Sequence, residues 1–175
     1  MESPKQLHMV HRNLGRLPDI KITEGYELRT YQAGDEQVWA DIMNTGIGEW
    51  TAEKCRENLT SKPQFLPDGL FFVTFQGKPV GSACCWRRSA DEWKVGWLHM
   101  VCVLPEHRSK QLGHILNLAV LHYFRNRGFK EVWLSTDDFR IAAIKSYVRI
   151  GFEPNIFDQS HAERWKAVLQ QIRES

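Results

Sequence analysis

The sequence has no long apolar run. Nothing in its 175 residues approaches the roughly 20 that cross a bilayer, so no membrane span or membrane partner is expected. It also has little excess charge of either sign. Lys and Arg number 23 against 21 Asp and Glu, a net charge of +2, so nothing in the balance demands a nucleic-acid partner. Cysteine is scarce: Cys55, Cys84, Cys85 and Cys102 make no CxxC pair and read as reduced thiols of a cytoplasmic protein. His8, His11, His107, His114, His122 and His161 share no ligand-like spacing with a Cys or carboxylate cluster, so no metal is expected. There is no internal repeat, no low-complexity tract and no signal-peptide pattern. The sequon Asn58-Leu59-Thr60 therefore reads as chance.

What is present fits one domain with a sizeable core. Seven Trp and nine Phe fill that core or wall an aromatic cleft. Residues 1–19 are polar and read as a loose N-terminal arm, with the domain proper over 20–175. Tyr26–Tyr31 reads as a first strand. A helix with Val38, Trp39, Ile42 and Met43 at helical spacing follows, then a second helix capped by Thr51 and running through Leu59. Gly46-Ile47-Gly48 lacks a preceding strand and a third glycine, which argues against a dinucleotide loop. Leu70–Phe75 and Val80–Arg87 form a hairpin, and Trp93–Val103 extends it to a three-stranded antiparallel meander. A helix from Leu112 to Asn126, closed by Gly128, crosses to a strand over 129–135 that must run parallel to Trp93–Val103. Asp137 and Asp138 are expected to cap the next helix, Arg140–Ile150. A short strand over 152–157 and an amphipathic helix over 160–173 close the chain.

The organising stretch is Leu98–His114, LHMVCVLPEHRSKQLGH: a buried strand, a cationic loop, and a helix start. First-turn amides have no intrahelical partner and the helix dipole favours negative charge there, so this junction suits an anion. Val103-Leu104-Pro105 followed by Arg108-Ser109-Lys110-Gln111-Leu112-Gly113 resembles the acyl-CoA signature of the GNAT superfamily of N-acyltransferases, with Gln111 where the first glycine is usual. A second stretch, Ala143-Ile144-Lys145-Ser146-Tyr147 with Gly151-Phe152-Glu153, is similar to that family's later motif. Arg140 stands there in place of the usual Asn, and Ser146 in place of the usual Leu.

The resemblance implies an α/β (α+β) fold. It has a mixed, mostly antiparallel sheet of six or seven strands, a splayed parallel pair, and flanking helices. It implies an acetyl-CoA-dependent N-acetyltransferase that acts on a primary amine of a small molecule by direct attack in a ternary complex. Acetyl-CoA would lie against Val101, Cys102, Val103, Arg108, Ser109, Lys110, Gln111, Leu112, Gly113, His114 and Arg140. Tyr147 would protonate the leaving thiolate, since a phenol of pKa about 10 stays protonated at neutral pH. Read alone, Tyr147 is a core tyrosine on an amphipathic helix; the motif is what gives it the catalytic role. His99, four residues before Val103, shares its face by strand alternation unless a bulge intervenes; it or a water relay would deprotonate the amine. Trp97 reads as a packed core residue or a cleft wall, and Glu49 and Trp50 as an ordinary loop. Two alternatives stay open, an acyl-CoA-binding regulatory module without transfer activity and a protein or peptide acetyltransferase. A homodimer also stays open.

Overall fold

The computed structural model describes residues 5–174. The centre of the molecule is the meander that alternation predicts. Leu70–Phe75 (β3) and Lys78–Trp86 (β4) are joined through Gln76 and Gly77, both at positive φ (51° and 76°). A two-residue hairpin turn requires that pair of conformations to match the strand twist. Val95–Val103 (β5) pairs antiparallel with β4, and Tyr26–Thr30 (β2) pairs antiparallel with β3.

Leu112–Asn126 (α3) lies on one face of the sheet, with Leu112, Ile115, Leu116, Ala119 and Val120 buried against it. Gly128, at φ +79°, ends the turn after it. The chain then returns as Glu131–Thr136 (β6), parallel to β5. The opposite face is covered by Glu36–Met43 (α1) and by Ala52–Cys55 (α2), which continues in wider turns over Arg56–Thr60. Trp39, Ile42 and Met43 of α1 pack there on Leu70, Phe72, Cys84 and Cys102 of the strands. Thr51 caps α2 as its sequence predicts, its Oγ1 accepting from the Lys54 amide at 3.1 Å. Ile141–Arg149 (α4), Glu153–Asn155 (β7) and Gln159–Glu174 (α5) complete the order.

Two expectations are corrected. The first concerns the loose arm over 1–19. Residues 1–4 lie outside the described residues, but Leu7–His11 is a strand (β1). It pairs antiparallel with β6 on one side and β7 on the other, giving the sheet order β2-β3-β4-β5-β6-β1-β7. Leu7, Met9 and Val10 are fully buried. Five residues of alternation look weak locally; burial between two later strands supplies what the segment lacks alone.

The second concerns Asp137 and Asp138, which do not cap α4. The residue at the cap is Arg140, without a side-chain capping bond. Asp137 instead accepts from Arg140 Nε at 3.0 Å, and Asp138 pairs with Arg164 of α5. Both carboxylates are engaged by guanidinium groups, in charge-assisted bonds whose fork geometry suits a carboxylate.

Candidate active site

β5 and β6 pair only where Val95, Gly96 and Trp97 face Glu131, Val132 and Trp133. Beyond Trp97 the two strands share no ladder, although β5 runs on to Val103 and β6 to Thr136. The sheet is therefore open at its middle, and a cavity lies to each side of the opening. The larger, of about 690 Å³, runs from Val101 and Val103 past the loop and first turn of α3 to Ala143, Ser146 and Tyr147 on α4. The smaller, of about 380 Å³, is walled by Trp86, Trp97, His99, Asp137 and Arg140 among others. Val101 and Tyr147 border both.

The loop explains the larger groove. Leu104 N–H still bonds β4, at Val80 O (2.9 Å), and Pro105–His107 then makes one tight turn. Ser109 and Gln111 both adopt left-handed backbone, at φ 61° and 60°. Left-handed backbone next to other conformations turns successive N–H groups into one concavity, which suits an anion. The same geometry explains why glycine is usual at position 111: an L-residue there carries a conformational cost of about 1–2 kcal/mol. Gln111 precedes α3 without a side-chain cap, so the first-turn amides stay available. Tyr26 and His107 brace the loop from behind, with Tyr26 Oη and His107 Nδ1 2.8 Å apart.

The groove takes most, but not all, of the residues named from sequence. Val101, Val103, Arg108, Ser109, Gln111, Leu112, Gly113 and His114 line it. Lys110 does not; its Nζ donates to Glu106 O at 2.9 Å. The Cys102 side chain points to the α1 face, where its Sγ donates to Ile42 O at 3.2 Å, so only its backbone is near the opening. Arg140 lines the smaller cavity rather than the groove, drawn there by Asp137 and by Gly46 O at 3.1 Å. Arg108 donates Nε to Val103 O at 3.1 Å. His107, Asn117 and Arg149 also line the groove. They carried no motif signal, because they reach it from a turn, from the buried side of α3, and from the end of α4.

Asn117 is 2 % exposed. Its Nδ2 lies 3.5 Å from Ser146 Oγ, and its Oδ1 has no partner among the described residues. A Cβ built on Gly113 would meet nothing within 4 Å, so open space stands directly before the helix start. The volume, the converging amides and this vacant approach fit a phosphate-bearing acyl thioester.

His99 is not where alternation alone puts it. Cys84 pairs with His99, but Ser82 pairs with Cys102, so β5 carries one extra residue between the two. Met100 takes the bulge at φ +54°. The bulge reverses the faces. Val101 and Val103 pack toward α3, whereas His99 faces the smaller cavity and tilts against Trp86, ring centroids 5.7 Å apart. Its ring is open to that cavity, yet protein atoms crowd the other sides, and this loss of hydration pushes the imidazole down to about 4. Tyr147 is 8 % exposed, packs edge-on to Phe152, and is pushed up to about 12 by burial. It therefore keeps its proton throughout the physiological range. Trp97 proves to be a cavity wall, and Trp50 packs on Trp39 with Nε1 donating to Ile47 O at 2.6 Å.

A split parallel pair with a strand–loop–helix junction lining a cavity beside it accords with the sequence resemblance. Residues 38–152 match the model of the acetyltransferase (GNAT) family. The chain belongs to that family. The mixed, mostly antiparallel α/β fold expected from the sequence, with a parallel strand pair, is the fold observed. Among its relatives, a mycothiol acetyltransferase of Thermobispora bispora is 32% identical over 148 residues, covering 78% of this chain and 49% of that protein. One from Thermomonospora curvata is 30% identical over 143 residues, covering 78% and 47%. The chain thus spans about half the length of these relatives. Among solved structures, a GCN5-related N-acetyltransferase from Sphaerobacter thermophilus superposes with a TM-score of 0.73 at 23% identity, over 86% of this chain and 49% of that one. No helix among the described residues is long and apolar enough to cross a membrane.

Proposed function

We propose that the protein is an acetyl-CoA-dependent N-acetyltransferase that acts on a primary amine of a small molecule, by direct attack in a ternary complex. The observation that carries this reading is the meeting of the two cavities at Val101 and Tyr147, across the opening between β5 and β6. The relatives' names point the same way, toward acetylation within the chemistry of a small molecule. Acetyl-CoA, bound in the larger groove, supplies an acyl group on a thiol leaving group. The amides from Ser109 to His114 hold its phosphates, and Arg149 adds a positive charge to that wall. The open edge of β5 at Val101 and Val103 offers backbone groups to its extended arm. A backbone N–H at that edge also stabilises the negative charge that develops on the acyl oxygen.

An amine enters from the smaller cavity. The C–N bond forms as the C–S bond breaks. Tyr147 gives its proton to the departing sulfur, its raised pKa keeping it protonated until that moment, and the proton that the attacking nitrogen loses as the amide forms restores the phenol. The amine's own proton leaves first. Passing it to water at pH 7 costs about 4–5 kcal/mol for an amine of pKa near 10.4. Burial pushes the His99 imidazole down to about 4, so at neutral pH it does not retain a proton, and the amine's proton passes by His99 along a water relay to solvent.

The test is Tyr147→Phe. Acetyl-CoA binding by calorimetry stays within a few-fold, while thiol release over an amine panel falls by about 100-fold or more. Unchanged turnover removes Tyr147 from the reaction. His99→Gln lowers turnover by less than about tenfold, and a loss as large as that of Tyr147→Phe restores His99 as the base.

A further inference from the structure

The smaller cavity carries information about its occupant. Trp86 and Trp97 give it flat apolar walls. Three formally charged side chains line it: Arg88, Arg140 and Asp137. Asp137 is engaged on both oxygens, accepting from Arg140 Nε at 3.0 Å and from Gln6 Nε2 at 2.9 Å. Asp137 and Arg140 therefore cancel within the wall. Arg88 has no carboxylate partner among the described residues; its guanidinium lies 4.3 Å from the centroid of the Trp97 ring. His8 approaches Trp97 edge-on at 6.2 Å and is held below its ordinary pKa by burial, then by the charges of His161 and Arg88. It adds no compensating charge. The cavity thus offers no free carboxylate for an ammonium group. It does offer a guanidinium that makes no ion pair among the described residues, although Glu92 and Glu131 line the adjoining cavity with it; its planar fork matches carboxylate and phosphate oxygens.

We infer that the acceptor is an amine that also bears an anionic group, a carboxylate or a phosphate, and that Arg88 selects it. The inference rests on the acyl-transfer reading above. The amine end lies toward Val101 and Tyr147, and the anion at Arg88 where its guanidinium stacks on Trp97. Stacking on Trp97 holds the guanidinium flat, so little side-chain freedom is lost when the anion arrives. Polyamines meet like charge without a counter-ion and are poor acceptors.

The experiment compares matched amines with acetyl-CoA and the full chain: glucosamine against glucosamine 6-phosphate, and tyramine against tyrosine. In at least one pair the anionic member exceeds the neutral one at least tenfold in kcat/KM, and Arg88→Gln brings that ratio close to one. Which pair responds distinguishes phosphate from carboxylate. A wild-type ratio of one or below in both pairs, or a ratio that Arg88→Gln leaves unchanged, overturns the inference. A second readout does not need turnover. Glucosamine 6-phosphate and tyrosine are titrated while the protein's tryptophan fluorescence, to which Trp86 and Trp97 contribute, is followed. At least one quenches the wild type, and Arg88→Gln weakens that quench at least tenfold in midpoint. No quench from either, or an equal one in the variant, also overturns the inference. Quenching through Arg88 with no thiol release on any amine leaves the anion site standing and removes the acyl-transfer reading instead.

Discussion

Gly96 of β5 lies flat against the ring of Phe124 on α3, so close that a Cβ on Gly96 would stand 2.6 Å from two of its ring carbons. Phe124 cannot retreat easily. It is fully buried and packs on Phe129 with centroids 4.7 Å apart. Gly96→Ala is therefore expected to destabilise by about 1–3 kcal/mol, the usual penalty of overpacking. At about 2–4 °C per kcal/mol for a chain of this size, thermal unfolding reads it directly. Gly96 also belongs to the last paired stretch before the opening, so transfer activity falls with it. An unchanged melting temperature contradicts the tight contact between β5 and α3.

Gly113 is the opposite case. It has ordinary backbone, and a side chain there meets no protein atom within 4 Å. Gly113→Val should leave the melting temperature within a few degrees. It should weaken acetyl-CoA binding at least tenfold, because the new methyl groups occupy the approach to the first-turn amides. Calorimetry of the variant decides, and undiminished affinity places the phosphates elsewhere.

Asn117 predicts a trade between stability and binding. Its buried Oδ1 lacks a partner, a desolvation penalty of about 1–3 kcal/mol. Asn117→Leu keeps the branching and the heavy-atom count, removes that penalty and extends its bulk into the open groove, so stability to urea rises by about 1 kcal/mol. Acetyl-CoA affinity falls, since a polar group has been taken from the groove wall. A less stable variant shows that the Oδ1 was satisfied after all.

Stability should decline on mild acidification. Burial is the main cause holding His8, His11, His99 and His114 below the ordinary histidine value. The unfolded chain then binds protons near pH 6.5 where the folded chain does not, so stability is full above about 6.5 and is lost as pH falls. For His99 the window runs from about 6.5 down to about 4. Glu36, held down by the Tyr31 hydroxyl, and Asp138, held down by the Arg164 guanidinium, act only at lower pH. Their contribution is present above the unfolded carboxylate value, near pH 4, and is lost below it. The urea midpoint should thus be lower at pH 5.5 than at 7.5, with a shallower slope in His99→Gln. A flat profile between those values contradicts the histidine contribution.

Elements whose partners lie nearby in sequence were legible from residues alone. The β3–β4 hairpin, the α3 crossover and the parallel strand after it follow from alternation, helical period and the punctuation at Gly77 and Gly128. The strand–loop–helix junction from Val103 to Gly113 was legible because its motif is contiguous. What was not legible depended on distant contacts or on single backbone angles. β1 becomes a strand through β6 and β7. The bulge at Met100 moves His99 to the other face through one positive φ that no residue type at that position announces. Arg140 turns away from the groove because Asp137 and the carbonyl of Gly46 attract it, and only the folded chain brings Gly46 there.

The placement of β1 also bears on how the molecule assembles. Leu7–His11 cannot meet its first neighbour until Glu131–Thr136 has been made, nor its second until Glu153–Asn155 has followed. During synthesis Leu7–His11 must wait, unpaired, while the meander forms behind it. Closing so wide a circuit is entropically slow. A bulky group fused ahead of Leu7 should accordingly delay the last phase of refolding far more than the same group placed after α5.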